Sequence, residues 1–312
     1  MGPSQKAWLV LRGRQVRTSA ILPGMSAKLT SIKPRITIVG AGNLAAALAS
    51  SLHEAGYVID QIVSRAPAAS WRQAQSLARE VGASVEVNTR AQIRAEVAWF
   101  CIPDRAIAAA AASMEAAGWE GKVALHSSGA LTSDELAVLR SCGAAIASVH
   151  PLMTFVRGSR PPLAGVPFAI EGDRKAVHAA RVIILDLRGE PFLIRKEKKR
   201  AYHAWGTFLS PLLTSLLAAS EEVAVAAGVS RKAARNRMLP ILMQTLANYA
   251  QLGAPASFSG PFVRGDVATV LKHLHALKGV PGAREIYVAL ARGALRNLPV
   301  KNRAALEKVL KD

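Results

Sequence analysis

Residues 35–52 read RITIVGAGNLAAALASSL, and this stretch decides the fold. Ile36, Ile38 and Val39 form a short apolar, β-rich run. Gly40-Ala41-Gly42-Asn43-Leu44-Ala45 follows at once, and an Ala/Leu-rich segment then continues without a breaker to Gly56. The order is strand, tight turn, helix, with the spacing G-x-G-x-x-A. In such a turn Gly40 permits the sharp reversal and Gly42 leaves room for a pyrophosphate against the backbone. Ala45 lets the helix pack closely on its strand. The free N–H groups that open the helix face the phosphates, aided by the helix dipole. The spacing alone is a weak signal, because small residues also serve plain turns. Its position between a strand and a helix makes it a dinucleotide-binding fingerprint, carried by Gly40, Ala41, Gly42, Asn43, Leu44 and Ala45.

Downstream, β-rich runs recur at residues 58–63, 83–87, 97–102, 122–125, 144–149, 166–170 and 191–194. Helical patterns separate several of them, notably residues 70–81 and 174–187. The run VAWFCI at 97–102 is almost continuously apolar, as expected of a strand covered on both faces. Asp104 is placed to cap the alanine-rich helix that follows. After Lys198 the alternation gives way to helical periods. A long helix over 201–227 should kink at Pro211, and Ser230 should cap a second one running to Leu252. Residues 256–264 read as a loop, Asp266 as a cap, and 267–277, 283–298 and 302–310 as further helices. The pattern predicts an α/β chain: an N-terminal Rossmann-like doubly wound sheet over 35–196, then an all-α domain over 197–312. Residues 1–34 carry basic residues and no acid. They read as a disordered leader, or as an over-extended start upstream of Met25.

The tip of the second strand decides which dinucleotide is bound. A carboxylate there suits the ribose of NAD, and an arginine suits the 2′-phosphate of NADP. Asp60 has the nominal spacing from Gly40, but Ile62 and Val63 carry the strand past it. Ser64 and Arg65 occupy the tip, which favours NADP over NAD. Ile102-Pro103, His126-Ser127-Ser128-Gly129 and His150-Pro151 follow later strands, at the edge where open α/β sheets bind ligands. Lys199, Tyr202 and His203 open the first long helix at spacings that let all three share a face. A cation there would polarise a developing oxyanion, and a phenol or imidazole would pass a proton. Each residue also has a plain structural role open to it: Lys199 lies in the basic run 195–200, and Tyr202 lies at a domain junction. Arg264 is the candidate anchor for a substrate carboxylate or phosphate.

The chain has 312 residues, 51% of them hydrophobic, enough for a large core and two domains. Its 40 Lys and Arg against 21 Asp and Glu give a net charge of +19. After residue 150 the balance is 25 against 11. Such a surface attracts anions, but neither a zinc pattern nor an aromatic RNA-binding signature accompanies it, so nucleic acid is disfavoured as a partner. Cys101 and Cys142 make neither metal-ligand spacing nor a disulfide framework, so a reducing, cytoplasmic setting is the default. Cys101 reads as a core residue. No metal site is expected. No unbroken apolar run approaches the roughly 20 residues of a membrane span, so no membrane partner is expected.

Several motifs occur in order: VGAGNLAAALA, FCIPDRAI, HSSGALTSDEL, SVHPLMTF, GVPFAIEGD, KRAYHAWGTFLS and SGPFVRGDVATVLKHL. Together they resemble a family assigned as oxidoreductases, with a Rossmann-like N-terminal domain and a helical C-terminal domain of unknown function. The resemblance covers residues 35–290. The broader class is similar to pyrroline-5-carboxylate reductase, prephenate dehydrogenase and 6-phosphogluconate dehydrogenase. It implies NADP binding, hydride transfer to or from a small, anionic C=O or C=N substrate, and a homodimer formed through the helical domain. Gly40, Gly42 and Ala45 match the family's phosphate turn, and Ser64-Arg65 its ribose-phosphate end. His126-Ser127-Ser128-Gly129 and His150-Pro151 match loops beside the expected nicotinamide position. Lys199, Tyr202 and His203 match a K-x-x-Y-H element, and Gly260-Pro261 with Arg264-Gly265-Asp266 a later G-P-x-x-R-G-D loop. Pro211 stands where many members carry Asn, which removes the usual Lys/Asn pairing. Two other readings remain open: an NADP-binding sensor or assembly module without turnover, and nucleic-acid binding through the basic helical half.

Overall fold

The computed structural model describes residues 33–65, 69–88 and 91–311. The basic leader and Met25 lie outside the described residues. The chain divides into two compact units at Ser210/Pro211, later than the 196/197 boundary read from the sequence.

The first unit is built on eight strands: β1 (Ile36–Val39), β2 (Ile59–Ser64), β3 (Ser84–Val87), β4 (Val97–Phe100), β5 (Val123–His126), β6 (Ala145–Pro151), β7 (Pro167–Gly172) and β8 (Glu190–Leu193). Their order across the sheet is β3-β2-β1-β4-β5-β6-β7-β8. Neighbours run parallel except β6 and β7, which are antiparallel. The chain therefore winds outward from β1 in both directions, and the turn after β1 sits at the point where the strand order reverses. Helices α1 (Asn43–Glu54), α2 (Ala69–Val81), α3 (Ile107–Ser113), α4 (Ala137–Ser141) and α5 (Arg174–Asp186) join the strands.

Residues of one strand alternate between the two faces of the sheet. In β4, Val97 and Trp99 enter the core layer that holds Ile36, Ile38, Leu48 and Leu125. Ala98 and Phe100 enter the opposite layer, with Val39, Val63, Ile107 and Trp119. This explains why VAWF reads as a continuous apolar run. Ala45 is fully buried in the first layer, the close helix–strand packing that its small side chain permits.

Two local expectations are corrected. Asp104 does not cap a helix: residues 104–106 form a 3₁₀ turn, and its carboxylate accepts a hydrogen bond from Ser128 instead. Residues 261–264, read as loop, form a short helix with proline at its first turn, where the missing N–H costs nothing.

The first unit ends in helix α6 (Lys199–Thr207). A π-helical turn over Phe208–Leu212 holds Pro211, which accounts for the interruption expected there. The second unit contains α7 (Leu213–Ala226), α8 (Arg231–Ser257), α9 (Pro261–Arg264), α10 (Val267–Ala276), α11 (Ala283–Asn297) and α12 (Arg303–Val309). Ser230 and Asp266 cap α8 and α10 as expected, accepting from Ala233 N and Thr269 N. Val270, Leu274, Ala291, Leu295 and Leu306 form the core of this unit. The long helices are covered far less: no residue of α7 is buried, and only Ala234 is buried in α8.

Among the described residues one helix, Lys196–Ala226, is long and apolar enough to cross a membrane by length and composition, with a mean hydropathy of 1.3 in its best window. None of that window is buried. Scattered serines and threonines break the apolar run, which is why counting consecutive residues missed it.

Candidate active site

Two groups of residues meet the sheet at its carboxyl edge. The first is a pocket of about 430 Å³ around the turn after β1, within the range of small-ligand sites. Gly40, Ala41, Gly42, Ser64, Arg65, Ile102 and Pro103, all named from the sequence as cofactor residues, line it. Of the other predicted cofactor residues, Asn43 lines an adjoining cavity and donates to Phe155 O, while Leu44 packs on the core. Asp60 is engaged elsewhere, bridged to Arg35 and Arg94, which agrees with discounting it as an NAD ligand. Sequence reasoning missed Ser70, Gln73, Asn88, Arg105 and Ser113, which also line the pocket. They come from helix and loop positions that only the folded sheet brings to one place.

The two turn glycines serve different ends. Gly40 has φ +113, and a Cβ there would lie 2.5 Å from Cys101 O. Only glycine fits against that neighbouring strand. At Gly42 the φ is an ordinary −76, and a Cβ would meet nothing within 4 Å. Its bare backbone faces open pocket, which is the room a pyrophosphate needs. The start of α1 carries no acidic residue that would repel it. An open cradle, a helix start and an unpartnered hydroxyl at Ser70 together fit NADP.

The second group is a buried polar cluster behind the loop that follows β5. His126 is fully buried. Its Nδ1 accepts from Ser128 N at 3.1 Å, which leaves Nε2 to donate to Thr132 O at 2.9 Å. Burial drives its pKa down to about 4 despite that backbone bond, so it is a neutral clamp for the loop. Ser128 Oγ donates to Asp104 Oδ2 at 2.8 Å and accepts from Ala130 N and Leu131 N. Ser127 accepts from the buried indole of Trp99 at 2.8 Å. Neither His126 nor Ser127 lines the pocket around the glycine turn.

Lys199 has no exposed surface. Its ammonium donates to Ser128 O at 2.9 Å and to Ser148 Oγ at 2.5 Å. Burial lowers its pKa to about 8, while the charges of Glu171 and Asp104 work the other way. The ammonium expected to polarise a developing oxyanion is thus engaged by two protein oxygens. Lys199 ties the loop after β5 to β6.

Tyr202 and His203 diverge from it. Tyr202 is buried, and its hydroxyl lies 2.9 Å from His150 Nδ1. His150, at the end of β6, has its pKa lowered to about 3, first by burial and then by the charge of Lys199. It is a neutral imidazole. Burial also raises the phenol of Tyr202. His203 is exposed, and its ring meets that of His150 edge-on at 6.0 Å. Gly129 separates them: a Cβ there would lie 2.6 Å from His203 and 2.8 Å from His150 Nε2. Of the predicted catalytic residues, His150, Tyr202 and His203 thus form one contiguous group, with Ser128 and Lys199 behind it. Arg264 lies in the second unit, exposed at the end of α9. Among the described residues no group of three His, Cys, Asp or Glu is arranged to hold a metal.

Residues 35–126 match the family described as NADP oxidoreductase, coenzyme F420-dependent. Residues 166–294 match a domain of unknown function, DUF2520. No curated protein sequence matches the chain. Among solved structures it resembles a Bacteroides fragilis protein provisionally described as an NADP oxidoreductase, with a TM-score of 0.71 and 22% identity over 84% of this chain and 97% of that one. An imine reductase from Pseudomonas sp. gives 0.62 and 20%, over 89% and 99%. A reductive aminase from Aspergillus terreus, in complex with NADPH and ethyl-5-oxohexanoate, gives 0.63 and 17%, over 88% and 99%. At these identities the likeness is one of fold. The chain joins an NADP oxidoreductase domain to a DUF2520 domain, and is an NAD(P)-dependent oxidoreductase.

Proposed function

We propose that the protein reduces a C=N or C=O bond of a small, anionic molecule with NADPH, C=N being favoured by the reductases whose fold it shares. The observation that carries this reading is the neutral His150–Tyr202 pair beside the exposed His203. Bound NADPH supplies a hydride to the carbon of the double bond. The chain's own task is then to deliver one proton to the nitrogen or oxygen and to orient the substrate. His203, in contact with solvent, exchanges that proton with water. His150 accepts from or donates to Tyr202 through Nδ1, and its Nε2 lies against Gly129. Lys199 acts from behind, holding the Ser128 carbonyl and keeping His150 neutral through its charge. Arg264 is the proposed anchor for an anionic substrate group.

The test is NADPH oxidation at 340 nm against a panel of cyclic imines, keto acids and aldehyde–amine pairs. Turnover of an imine that His203→Gln lowers while NADPH affinity is kept supports the reading. NADPH binding without consumption across the panel favours the sensor alternative. Steeply salt-dependent binding to single or double strands favours the nucleic-acid alternative.

A homodimer is part of the same proposal. Leu239, Met243 and Leu246 of α8 recur at i, i+4 and i+7 and are all exposed, as is Leu213 of α7. A stripe of this size left bare is an interface in waiting, and a second copy supplies an identical stripe. Cys101 and Cys142 are both free, which supports a reducing compartment such as the cytoplasm.

A further inference from the structure

Ser70 stands in the first turn of α2. Among the described residues its Oγ is the one buried side-chain polar atom without a hydrogen-bond partner. Chains seldom keep a buried hydroxyl in that state unless a ligand, ion or water completes it. As the second residue of α2, Ser70 has no carbonyl of its own helix three or four residues back to donate to, unlike Ser50, which donates to Ala46 O, and Ser113, which donates to Ala110 O. Ser70 lines the pocket that Gly40, Gly42, Ser64 and Arg65 also line, and α2 is the helix that follows β2, the strand whose tip meets the adenosine ribose.

We propose that Ser70 is the residue that reads the 2′-phosphate of NADP, its hydroxyl donating to a phosphate oxygen while the exposed Arg65 supplies the counter-charge. The inference rests on the NADP reading of this pocket. A phosphate monoester offers acceptor oxygens and negative charge, so a short O–H donor meets it with a charge-assisted bond. The ribose hydroxyl of NAD offers Ser70 only a neutral partner. Arg65, on a long side chain at the rim, attracts any anion. Ser70 is held by the helix backbone and fixes where the phosphate must lie. Preference between the two dinucleotides therefore depends on a residue that no Gly-rich motif or strand-tip rule indicates.

Calorimetric titration of the full-length chain with NADPH, NADH, adenosine 2′,5′-bisphosphate and 5′-AMP tests this. Ser70→Ala should weaken NADPH and the bisphosphate by about ten- to a hundredfold, the weight of one charge-assisted bond, and leave NADH and 5′-AMP within about twofold. The ligand-free variant should melt no lower than wild type, because an unsatisfied hydroxyl has been removed. Ser70→Thr, which keeps the hydroxyl, should retain most of the preference. An unchanged NADPH-to-NADH ratio in Ser70→Ala overturns the assignment. So does equal weakening of all four ligands together with a lower melting temperature, the mark of a purely structural serine. Wild-type protein that fails to bind NADPH overturns the cofactor reading and this inference with it.

Discussion

The ammonium of Lys199 lies 2.9 Å from the carbonyl oxygen of Ser128, and no part of the lysine reaches solvent. A group in that position shapes a site without touching what binds there. Lys199→Met should leave Ser148 Oγ without the ammonium it accepts from and Ser128 O with Ser148 Oγ as its remaining side-chain donor, a loss on the order of 1–3 kcal/mol. Turnover should fall at least about tenfold, the tenfold that corresponds to 1.4 kcal/mol, with NADPH affinity within about twofold. Steady-state kinetics paired with cofactor titration decide the matter. Unchanged turnover removes Lys199 from the mechanism altogether.

His203 and Tyr202 should separate by their effects. His203→Gln removes the solvent-facing imidazole and should cost about a hundredfold in kcat, the scale of general acid–base catalysis. Tyr202→Phe removes the hydroxyl that orients His150, so a smaller loss is expected, accompanied by a raised KM. Equal losses from both variants would argue against distinct roles.

Gly129 is enclosed by the two imidazoles of His150 and His203. Gly129→Ala should push them apart, lower turnover sharply and destabilise the fold by about 1–3 kcal/mol, as overpacking does. Thermal melting and NADPH affinity measured together locate the damage. Weakened cofactor binding with intact turnover would show that the loop serves the cofactor and not the chemistry.

Acid should unfold this protein early. His126 and His150 keep pKa values of about 4 and about 3 in the folded chain, against 6.5 for the free side chain. Below 6.5 the unfolded chain takes up protons that the folded chain refuses, so stability is complete above that pH and declines as it falls. Each histidine contributes about 1.4 kcal/mol per pH unit down to its own folded value. Denaturant midpoints between pH 7 and 4 measure the slope, and His126→Asn should make it shallower. A flat profile would mean that neither histidine is buried neutral.

The bare stripe on α8 predicts association. Sedimentation should give twice 33.0 kDa, and Leu246→Asp should return the protein to a single chain. A monomer at all concentrations would leave the apolar stripe without the proposed cover.

Much of this was legible in the sequence because it rests on local rules. The run ITIV and the turn Gly40–Ala45 announce a strand and a helix start through backbone conformation and side-chain size alone. The polar positions His126 and His150 were legible through their place after apolar runs, but they and Pro151 belong to the ends of β5 and β6 and not to loops beyond them. Long-range register was not. The antiparallel entry of β7 leaves no mark on the run VPFAI, because a strand covered on both faces reads alike in either direction. Asp104 was assigned to a helix cap, as acidic residues before helices usually are, and the fold gives it to Ser128, 24 residues on. Lys199 sat in a basic run and gave no sign of burial. Its partners are a carbonyl and a hydroxyl that only tertiary structure delivers.

Gly40 and Gly42 carry a consequence for descent. Position 40 admits no side chain because a neighbouring strand stands in the way, so every folded descendant is bound to keep its glycine. Position 42 is under no such compulsion: its backbone is ordinary and its surroundings are empty. A lineage released from nucleotide binding would be free to drift there within a few substitutions. Folding alone therefore does not call for the glycine at 42.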